Sequence, residues 1–344
     1  MKFIARLLVL CLLFSAVSCG RRAEQAEIPT ANDAESLRAY FLEKADQVIA
    51  AAGEITFPNG NGEQITLAAA PKKTVILYAS LTTLWYEAGG AVSGCLGGSS
   101  AIELYQNQIG RDITRDEAVT VVADSPAAGR WDIERILAQQ PDLIICSEAM
   151  NGYATIEGPA RAAGIPVVLM DYRDFSDYLK WFKVSCLLTG HPELWETVAM
   201  PALQEVVDIL LSCAQKSSPR VFSMFTGVDS LKANTEHTVI GGMIGEMGAS
   251  NIAEGWGGSA EHVPVSPEAV YAADPDLILI QCHTGLEDAQ ALVERLYGDH
   301  PVWQSLRAVR EGRVYYLDKE LFHNKPNSRF SEAYAILERY LYPD

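Results

Sequence analysis

The sequence predicts an α/β protein built as two lobes of similar construction, each with a mainly parallel sheet flanked by helices. Three observations support this fold class: a segment that occurs twice, an alternation of strand-like and helix-like segments, and a long helical stretch between the two copies. Alternating strands and helices favour parallel sheets, because a helix usually forms the crossover between parallel strands. With 344 residues, the chain is long enough for two domains with separate cores.

The repeated segment covers residues 131–147, and its second copy covers residues 265–282. In each copy a short helix begins near a glutamate, a Pro-Asp pair ends the helix, and an unbroken apolar run follows. The apolar runs are short enough to be strands buried on both faces. Glu134 and Glu268 lie 134 positions apart, and the rest of each copy matches in register. Such segments are common in α/β proteins, but a match about one domain length apart favours two related lobes.

The organisation predicted from these patterns includes one stiff connection between the lobes. Residues 175–188 and 193–216 have helical spacing, and the second stretch would form a rod of roughly 37 Å. A helix over residues 35–52 and a β-hairpin over residues 55–67, with Asn-Gly at its turn, precede the first lobe. The predicted sections are a signal peptide at 1–18, a lipidated tether and N-terminal helix at 19–54, an N-terminal lobe at 55–173, an inter-lobe helical linker at 174–217 and a C-terminal lobe at 218–344.

The N-terminus carries a targeting segment. Lys2 and Arg6 precede an apolar run over residues 7–17, which is too short to span a bilayer as a mature helix. Small residues at 16–18 then precede Cys19, as in bacterial lipoprotein signals, where this cysteine becomes the lipidated first residue. The same small residues would also suit ordinary signal peptidase at the same bond. We therefore expect lipid anchoring through Cys19 to a bacterial cell membrane, facing the periplasm or the cell exterior.

Charge and cysteine content exclude several classes of protein. The net charge is −17, and loss of Lys2 and Arg6 with the signal would make it −17 − 2 = −19. Such a chain does not suit the phosphates of nucleic acid. Wide spacing and an odd number argue against a disulfide framework, and the lack of a Cys-x-x-Cys pair against a zinc knuckle. The five cysteines beyond the signal and Cys19 are Cys95, Cys146, Cys186, Cys213 and Cys282.

No catalytic signature is present in the sequence: it contains no Gly-x-Ser-x-Gly, Walker loop or His-Glu-x-x-His. We therefore predict that the protein is not an enzyme and has no intrinsic cofactor or metal site. A histidine in such a chain is more often a surface or capping residue than a ligand. The six histidines are His191, His237, His262, His283, His300 and His323.

Two tryptophans are candidates for ligand contact. Trp131 and Trp256 do not belong to a periodic apolar face. In open α/β sheets, ligands bind beyond the carboxyl ends of the strands, where loop aromatics can stack on a flat or bulky ligand. Core or turn packing explains each tryptophan equally well, so both interpretations stay open.

Together these stretches resemble the substrate-binding lipoproteins of ABC transporters that import iron–siderophore chelates, haem or cobalamin. The resemblance extends from about residue 55 to the end of the chain. It is carried by the hairpin and strand at 55–75, Asp-Ile-Glu-Arg-Ile-Leu-Ala-x-x-Pro-Asp-Leu-Ile-Ile at 132–145, Ala-Gly-Ile-Pro-Val-Val at 163–168, Gly-Ala-Ser-Asn-Ile-Ala at 248–253, Val-Ser-Pro-Glu at 265–268, Pro-Asp-Leu-Ile at 275–278, and the close from His-Pro-Val-Trp at 300–303 to Gly-Arg-Val-Tyr at 312–315.

The resemblance implies two Rossmann-like lobes joined by a rigid helix, with a ligand cleft between them. It implies that Glu134 and Glu268, one on each lobe, dock onto arginines of an ABC permease dimer. The implied ligand is a small-molecule metal chelate: a ferric siderophore, haem or a corrinoid. The protein is expected to be a monomer. A surface-anchored enzyme and a sensory lipoprotein on the same scaffold are the alternatives. The candidate cleft residues are Ser80, Leu81, Thr82, Trp131, His237, Trp256, His262, Phe322 and Arg329.

Overall fold

The computed structural model describes residues 33–125, 131–147, 150 and 152–343. Their strands form three sheets. The strands are β1 Ile49–Ala51, β2 Glu54–Pro58, β3 Gln64–Ala68, β4 Thr74–Ile76, β5 Gly94–Leu96, β6 Thr120–Ala123, β7 Leu143–Cys146, β8 Val167–Leu169, β9 Arg220–Thr226, β10 Leu231–Asn234, β11 Ser250–Asn251, β12 His262–Pro264, β13 Leu277–Cys282 and β14 Val314–Leu317.

Helices cover both larger sheets. The α-helices are α1 Ala34–Asp46, α2 Ala79–Glu87, α3 Ser99–Gln108, α4 Ile133–Ala138, α5 Ala154–Ala162, α6 Phe175–Thr189, α7 Met200–Cys213, α8 Val239–Glu246, α9 Pro267–Ala273, α10 Leu286–Val293, α11 Pro301–Ser305, α12 Arg307–Arg310, α13 Lys319–Phe322 and α14 Phe330–Leu341.

The sheet of the N-terminal lobe is wholly parallel, with strand order β6-β5-β4-β7-β8. Because β4 lies between β5 and β7, the strand order reverses beside β4, and a crevice opens there beyond the carboxyl ends of the strands. The C-terminal lobe has the order β12-β10-β9-β13-β14, with β11 paired to β9. In that sheet β9, β11, β12, β13 and β14 run in one direction and β10 runs in the other, so the prediction of mainly parallel sheets is confirmed.

The two repeat copies fold alike. Helix α4 leads into β7 and helix α9 leads into β13, and both strands are buried along their whole length. The residue before each Pro-Asp pair has a positive φ, +51° at Gln140 and +42° at Asp274, which turns the chain sharply out of the helix. The aspartate of each pair then accepts a hydrogen bond from a neighbouring backbone N–H: Asp142 from Lys73 at 3.0 Å and Asp276 from Arg220 at 2.6 Å. The repeated Pro-Asp therefore fixes the start of the adjacent parallel strand in both lobes.

The N-terminal helix is shorter than the 35–52 stretch that we predicted. Helix α1 ends at Asp46, and the residues that follow form β1, which pairs with β2 so that Ile49 lies opposite Thr56. Ala52 and Gly53 between them have φ values of +53° and +83° and make the turn. The helical spacing failed here because pairing with the hairpin satisfies the backbone of these residues instead.

The helical stretch between the lobes breaks between residues 188 and 193, as the sequence predicts, and the helix that follows contains a π-helical turn. Helix α6 ends at Gly190, whose φ is +82°, and Trp195–Ala199 forms a π-helical turn before the 14 residues of α7. At 1.5 Å per residue, α7 is about 21 Å long. Helix α6 is buried on nearly all sides and packs against α1, whereas α7 packs against α14. The connection is stiff because it is built into the core of the molecule.

Candidate ligand cleft

Three histidines surround one phenylalanine near the carboxyl ends of β9 and β13. Phe225 lies near the end of β9, His283 directly follows β13, His323 follows α13, and His262 is the first residue of β12. The centroid of the Phe225 ring is 4.7 Å from that of His262, 5.6 Å from that of His283 and 5.7 Å from that of His323. We call these four residues the imidazole cluster. It lies at the edge where α/β sheets bind ligands.

Backbone and side-chain bonds hold the cluster in place. His283 Nδ1 and His323 Nε2 are 2.9 Å apart, so one ring N–H donates to the lone pair of the other ring. The backbone N–H of His283 donates to Thr226 Oγ1 at 3.1 Å. The Gln281 side chain donates to the carbonyl of Phe322, the residue before His323, at 2.5 Å. Each imidazole is therefore positioned by the end of a buried strand.

Burial keeps the imidazoles uncharged. It lowers the pKa of His323 to about 4, with further lowering by His283 and Lys319. Burial also lowers the pKa of His283, again with help from Lys319, and that of His262, where Glu261 opposes the effect. Neutral imidazole is the form that donates a lone pair to a metal or accepts a hydrogen bond. At neutral pH the cluster consequently offers uncharged nitrogen donors on an aromatic wall.

The opposite wall of the cleft comes from the N-terminal lobe. Tyr78 follows β4 beside the point where the strand order reverses, and burial together with Glu261 raises the pKa of its hydroxyl. Arg173 follows β8 and interacts electrostatically with the same Glu261. Because Glu261 precedes His262, both residues lie within electrostatic reach of the start of β12 in the other lobe.

A lysine lies between the two walls. Lys325 donates from Nζ to the carbonyl oxygen of Tyr172, and Nζ is 5.0 Å from the centroid of the Tyr172 ring. Burial lowers the pKa of Lys325, and attraction to Glu261 opposes this. Its ammonium group is of the kind that pairs with an anionic group on a ligand.

The cluster is not arranged as a cage for a bare ion. Within residues 33–125, 131–147, 150 and 152–343, no group of three His, Cys, Asp or Glu side chains has an arrangement that could hold a metal ion. Two of the imidazoles hydrogen-bond to each other and a third stacks on Phe225.

An apolar pocket in the C-terminal lobe lies apart from this cleft. It has a cavity volume of about 20 Å³ and lies between α9 and α11, lined in part by Phe222, Val265 and Trp303. No cluster of titratable groups converges on it. We regard it as a packing gap and the cleft as the better ligand site.

Of the four predicted cleft residues of the N-terminal lobe, three are buried in helix α2 and one is partly buried against the lobe core. Ser80 is 6% exposed, Leu81 2% and Thr82 0%, because all three lie inside the first turns of α2. Thr82 donates to the Tyr78 carbonyl at 3.2 Å. Trp131 is partly buried and packs against the lobe core. The half-buried Tyr78 is the member of this turn that faces the second lobe.

The predicted cleft residues of the C-terminal lobe are also spread out. His262 belongs to the imidazole cluster, but His237 is 2.7 Å from the carbonyl of Gly258 in a neighbouring loop. Trp256 packs on the core, with its ring centroid 6.3 Å from that of Phe222. In the remaining pair, the side chain of Phe322 is buried in the core, and Arg329 is exposed and bound to Glu332 at 2.7 Å.

The predicted docking residues occupy equivalent exposed positions in the two lobes. Glu134 and Glu268 are both exposed and both lie in the first turn of a repeat helix, α4 and α9. The caps match as well: Asp132 Oδ1 accepts from the Arg135 N–H at 2.9 Å, and Ser266 Oγ accepts from the Ala269 N–H at 3.3 Å. Cys19 lies outside the described residues.

Sequence reasoning missed Phe225, His283, His323, Tyr78 and Lys325 as cleft residues. His283 could have been found, because it is the first residue after the apolar run of the second repeat copy. The position of His323 could not be predicted, since it depends on how α13 returns the chain to the sheet. The aromatic side chains at 78 and 225 are indistinguishable from core residues by sequence pattern.

Fold and site together define a two-lobed binding protein with its ligand cleft between the lobes. The sequence profile described as "Periplasmic binding protein" matches residues 79–321, and the chain belongs to that family. A similar curated protein is an uncharacterised ABC transporter substrate-binding lipoprotein, YvrC of Bacillus subtilis. The two are 24% identical over 298 residues, which is 84% of this chain and 86% of YvrC.

Solved structures show the same fold at low sequence identity. An ABC transporter substrate-binding protein from Listeria monocytogenes has a TM-score of 0.63 at 20% identity, covering 80% of this chain and 100% of its own. The haem-binding protein RhuT from Roseiflexus sp. RS-1 has a TM-score of 0.58 at 23% identity, covering 80% and 98%. IsdE of S. aureus, solved with haem, has a TM-score of 0.62 at 14% identity, covering 78% and 98%. The two-lobed fold is therefore confirmed.

In the part of the chain that the structure describes, no helix combines the length and apolarity that a membrane crossing requires.

Proposed function

We propose that this protein is a lipid-anchored solute-binding protein that delivers a metal chelate, namely a ferric siderophore, haem or a corrinoid, to an ABC importer and catalyses no reaction. The observation that carries the proposal is the imidazole cluster of the cleft. His262, His283 and His323 lie around Phe225, and the pKa of each imidazole is lowered. Membership of the periplasmic binding protein family supports the transport role.

The chemistry of the cleft favours a chelate with an accessible metal. Neutral imidazole binds iron and cobalt as well as zinc and copper. The Phe225 ring gives a flat ligand an apolar surface on which to stack. Lys325 and Arg173 could neutralise carboxylates at the edge of the ligand. Haem and corrinoids combine a flat ring, an axial metal site and polar edge groups. A ferric siderophore with an open coordination position would also present a metal that the imidazole nitrogens can bind.

The proposed partner is the permease dimer of an ABC importer. Glu134 and Glu268 occupy equivalent places in the two lobes, so together they could form a two-point contact with permease arginines. Carboxylates and arginines form bidentate hydrogen bonds that become strong when shielded from water. The equivalent exposure of the two residues supports this role.

The decisive experiment is an absorbance spectrum of the protein purified from its native host, followed by titration of the stripped protein. Haemin, cyanocobalamin and a ferric catecholate serve as probes. We expect a Soret, corrinoid or ferric charge-transfer band in the native sample and saturable binding of one probe. If the native sample has no such band and none of the probes binds at micromolar concentration, the proposed ligand class is wrong.

A further inference from the structure

One segment of the C-terminal lobe crosses over to the N-terminal lobe. Residues 319–329, which we call the strap, follow β14 and lie against helices α2 and α3. The strap contains His323 of the imidazole cluster and Lys325 between the cleft walls. It therefore connects the ligand site of one lobe to the helices of the other.

The inner half of the strap is fixed to the N-terminal lobe by buried polar side chains. Glu87, at the end of α2, accepts hydrogen bonds at Oε1 from the hydroxyl of Ser328 and from its N–H, the latter at 3.3 Å. Asn327 Nδ2 donates to Thr83 Oγ1 at 3.0 Å and to Gln108 Oε1 at 3.2 Å. Asn327 is only 3% exposed. Breaking any of these bonds leaves a polar group buried without a partner, which is the costly case for a hydrogen bond.

The backbone of the strap reinforces this attachment. Asn327 has a φ of +53°, a left-handed conformation that asparagine tolerates better than most residues. The Gln108 side chain also donates to the carbonyl of Lys325 at 3.2 Å. This turn sets the direction in which the strap leaves the N-terminal lobe and returns to α14.

The outer half of the strap has exposed contacts that contribute little. Lys319 Nζ is 3.0 Å from Glu103 Oε2, but the two side chains are 25% and 57% exposed. Solvent screens such pairs. The buried contacts at Glu87 and Asn327 therefore hold the strap in place, and the exposed ion pair adds little stability.

The other side of the strap meets the sheet edge of its own lobe. Gln281 donates to the Phe322 carbonyl at 2.5 Å, and His323 Nε2 lies 2.9 Å from His283 Nδ1. The strap is thus held from both lobes, and His323 lies between the two sets of contacts.

We propose that Glu87 and Asn327 are positioning residues: their hydrogen bonds between the two lobes hold His323 against His283, so that ligand affinity depends on side chains that do not touch the ligand. The positioning itself is a property of the free protein. Its effect on affinity rests on the proposed metal-chelate function.

The test compares Glu87→Ala with Glu87→Gln, because glutamine keeps the Oε1 acceptor for Ser328 and alanine removes it. The readout is the long-range 15N–1H NMR spectrum of the histidine rings in the ligand-free protein, recorded across pH 4 to 8. In the wild type, His283 and His323 should each show a single tautomer and titrate with a low pKa. His283, His262, Lys319 and Lys325 all interact with His323 and lower its pKa. In Glu87→Ala, mixed tautomers and a His323 pKa closer to its ordinary value are expected, and Glu87→Gln should restore the wild-type spectrum.

Further variants control for surface effects and for folding. Asn327→Gly removes the hydrogen bonds to Thr83 and Gln108 while allowing the positive φ, and should resemble Glu87→Ala. Glu103→Gln removes only the charge of the exposed ion pair with Lys319 and should leave the spectrum unchanged. If Glu87→Ala does not fold, as judged by circular dichroism, Ser328→Ala removes the hydroxyl bond to Glu87 from the strap side and leaves the backbone N–H bond in place.

Binding of haemin or of a ferric catecholate provides the second readout. Affinity should fall about tenfold in Glu87→Ala and stay within about twofold of wild type in Glu87→Gln and Glu103→Gln. Unchanged histidine tautomers and pKa values in folded Glu87→Ala or Ser328→Ala would overturn the proposal, as would a Glu87→Gln variant that behaves like alanine. If the NMR result holds but no probe binds, the metal-chelate function fails and the positioning role stands.

Discussion

The Nδ1 atom of His283 lies 2.9 Å from the Nε2 atom of His323, although 40 positions separate the two residues in the chain. The rings are nearly perpendicular, at 85°. Each ring keeps one nitrogen outside this contact, Nε2 of His283 and Nδ1 of His323. A metal bound by either nitrogen would therefore have a ligand whose orientation and tautomer are set by the second imidazole, as is common around protein metal sites.

The first prediction concerns this pair. His283→Ala and His323→Ala should each weaken chelate binding by about 10- to 100-fold, since each substitution removes either a ligand or the residue that orients it. The double variant should be little worse than the more affected single variant, because the two rings act as one unit. Fluorescence quenching with haemin or a ferric catecholate measures both effects.

The matched control is His300→Ala. His300 caps helix α11 through a bond from the Val302 N–H at 3.3 Å and lies outside the cleft. It should leave affinity unchanged. Additive losses in the double variant would show that His283 and His323 act separately, against the geometry.

The second prediction concerns a buried carboxyl group in the helical core. Glu246, at the end of α8, is 8% exposed and accepts a hydrogen bond from the Tyr334 hydroxyl. Burial raises its pKa to about 8, Asp174 raises it further, and Tyr334 and Lys44 oppose the effect. Because the pKa in the folded state exceeds that of the unfolded chain, ionisation costs stability. The cost is absent below the unfolded pKa and grows as pH rises through about 8.

Glu246→Gln removes that ionisation. The variant should gain free energy of unfolding relative to wild type as pH rises from 5 to 8, by at most about 3 kcal/mol at pH 7. Urea unfolding at several pH values measures the gain. Glu43→Gln, on the exposed side of α1, is the control and should show no comparable trend. A difference that stays flat or falls with pH contradicts the assignment.

The third prediction concerns membrane anchoring. Cys19→Ala should release the protein from the membrane fraction, because anchoring would depend on acyl chains at that residue. Cys11→Ala, within the signal segment, should leave it membrane-bound. Fractionation before and after a high-salt wash distinguishes lipid anchoring from charge attraction. A Cys19→Ala protein that stays with the membrane in high salt would contradict the lipoprotein assignment.

The fold could be read from the sequence where local patterns and buried strands agree. Residues 143–146 and 277–280 are unbroken apolar runs, and both became fully buried strands. The pattern failed where pairing decides the outcome, as at β1, whose residues have helical spacing but pair with β2.

The cleft was less predictable, because its residues come together only through the crossovers. Of the nine predicted cleft residues, His262 lies in the imidazole cluster, while Leu81 and Thr82 are buried in α2. His323 is brought to His283 by the strap, whose path depends on Asn327 and Glu87 and has no periodic signal. The spacing of apolar residues predicts helices and strands, but it does not predict the paths of the loops that join them.

The last prediction concerns the two repeat glutamates. Glu134→Ala and Glu268→Ala should each impair transport and together abolish it, with ligand affinity unchanged in all three proteins. Both side chains are exposed, in the first turns of α4 and α9. A surface carboxylate stabilises the isolated protein by only about 0–1 kcal/mol, whereas loss of one partner from a shielded ion pair at an interface typically costs about 2–5 kcal/mol. Uptake assays in the native host, paired with ligand titration, separate docking from binding.

Glu287→Ala is the matched control, because Glu287 is also exposed in the first turn of a helix, α10, but lies outside the repeat. Loss of ligand binding in either repeat variant, or equal loss of uptake in the control, would contradict the docking role.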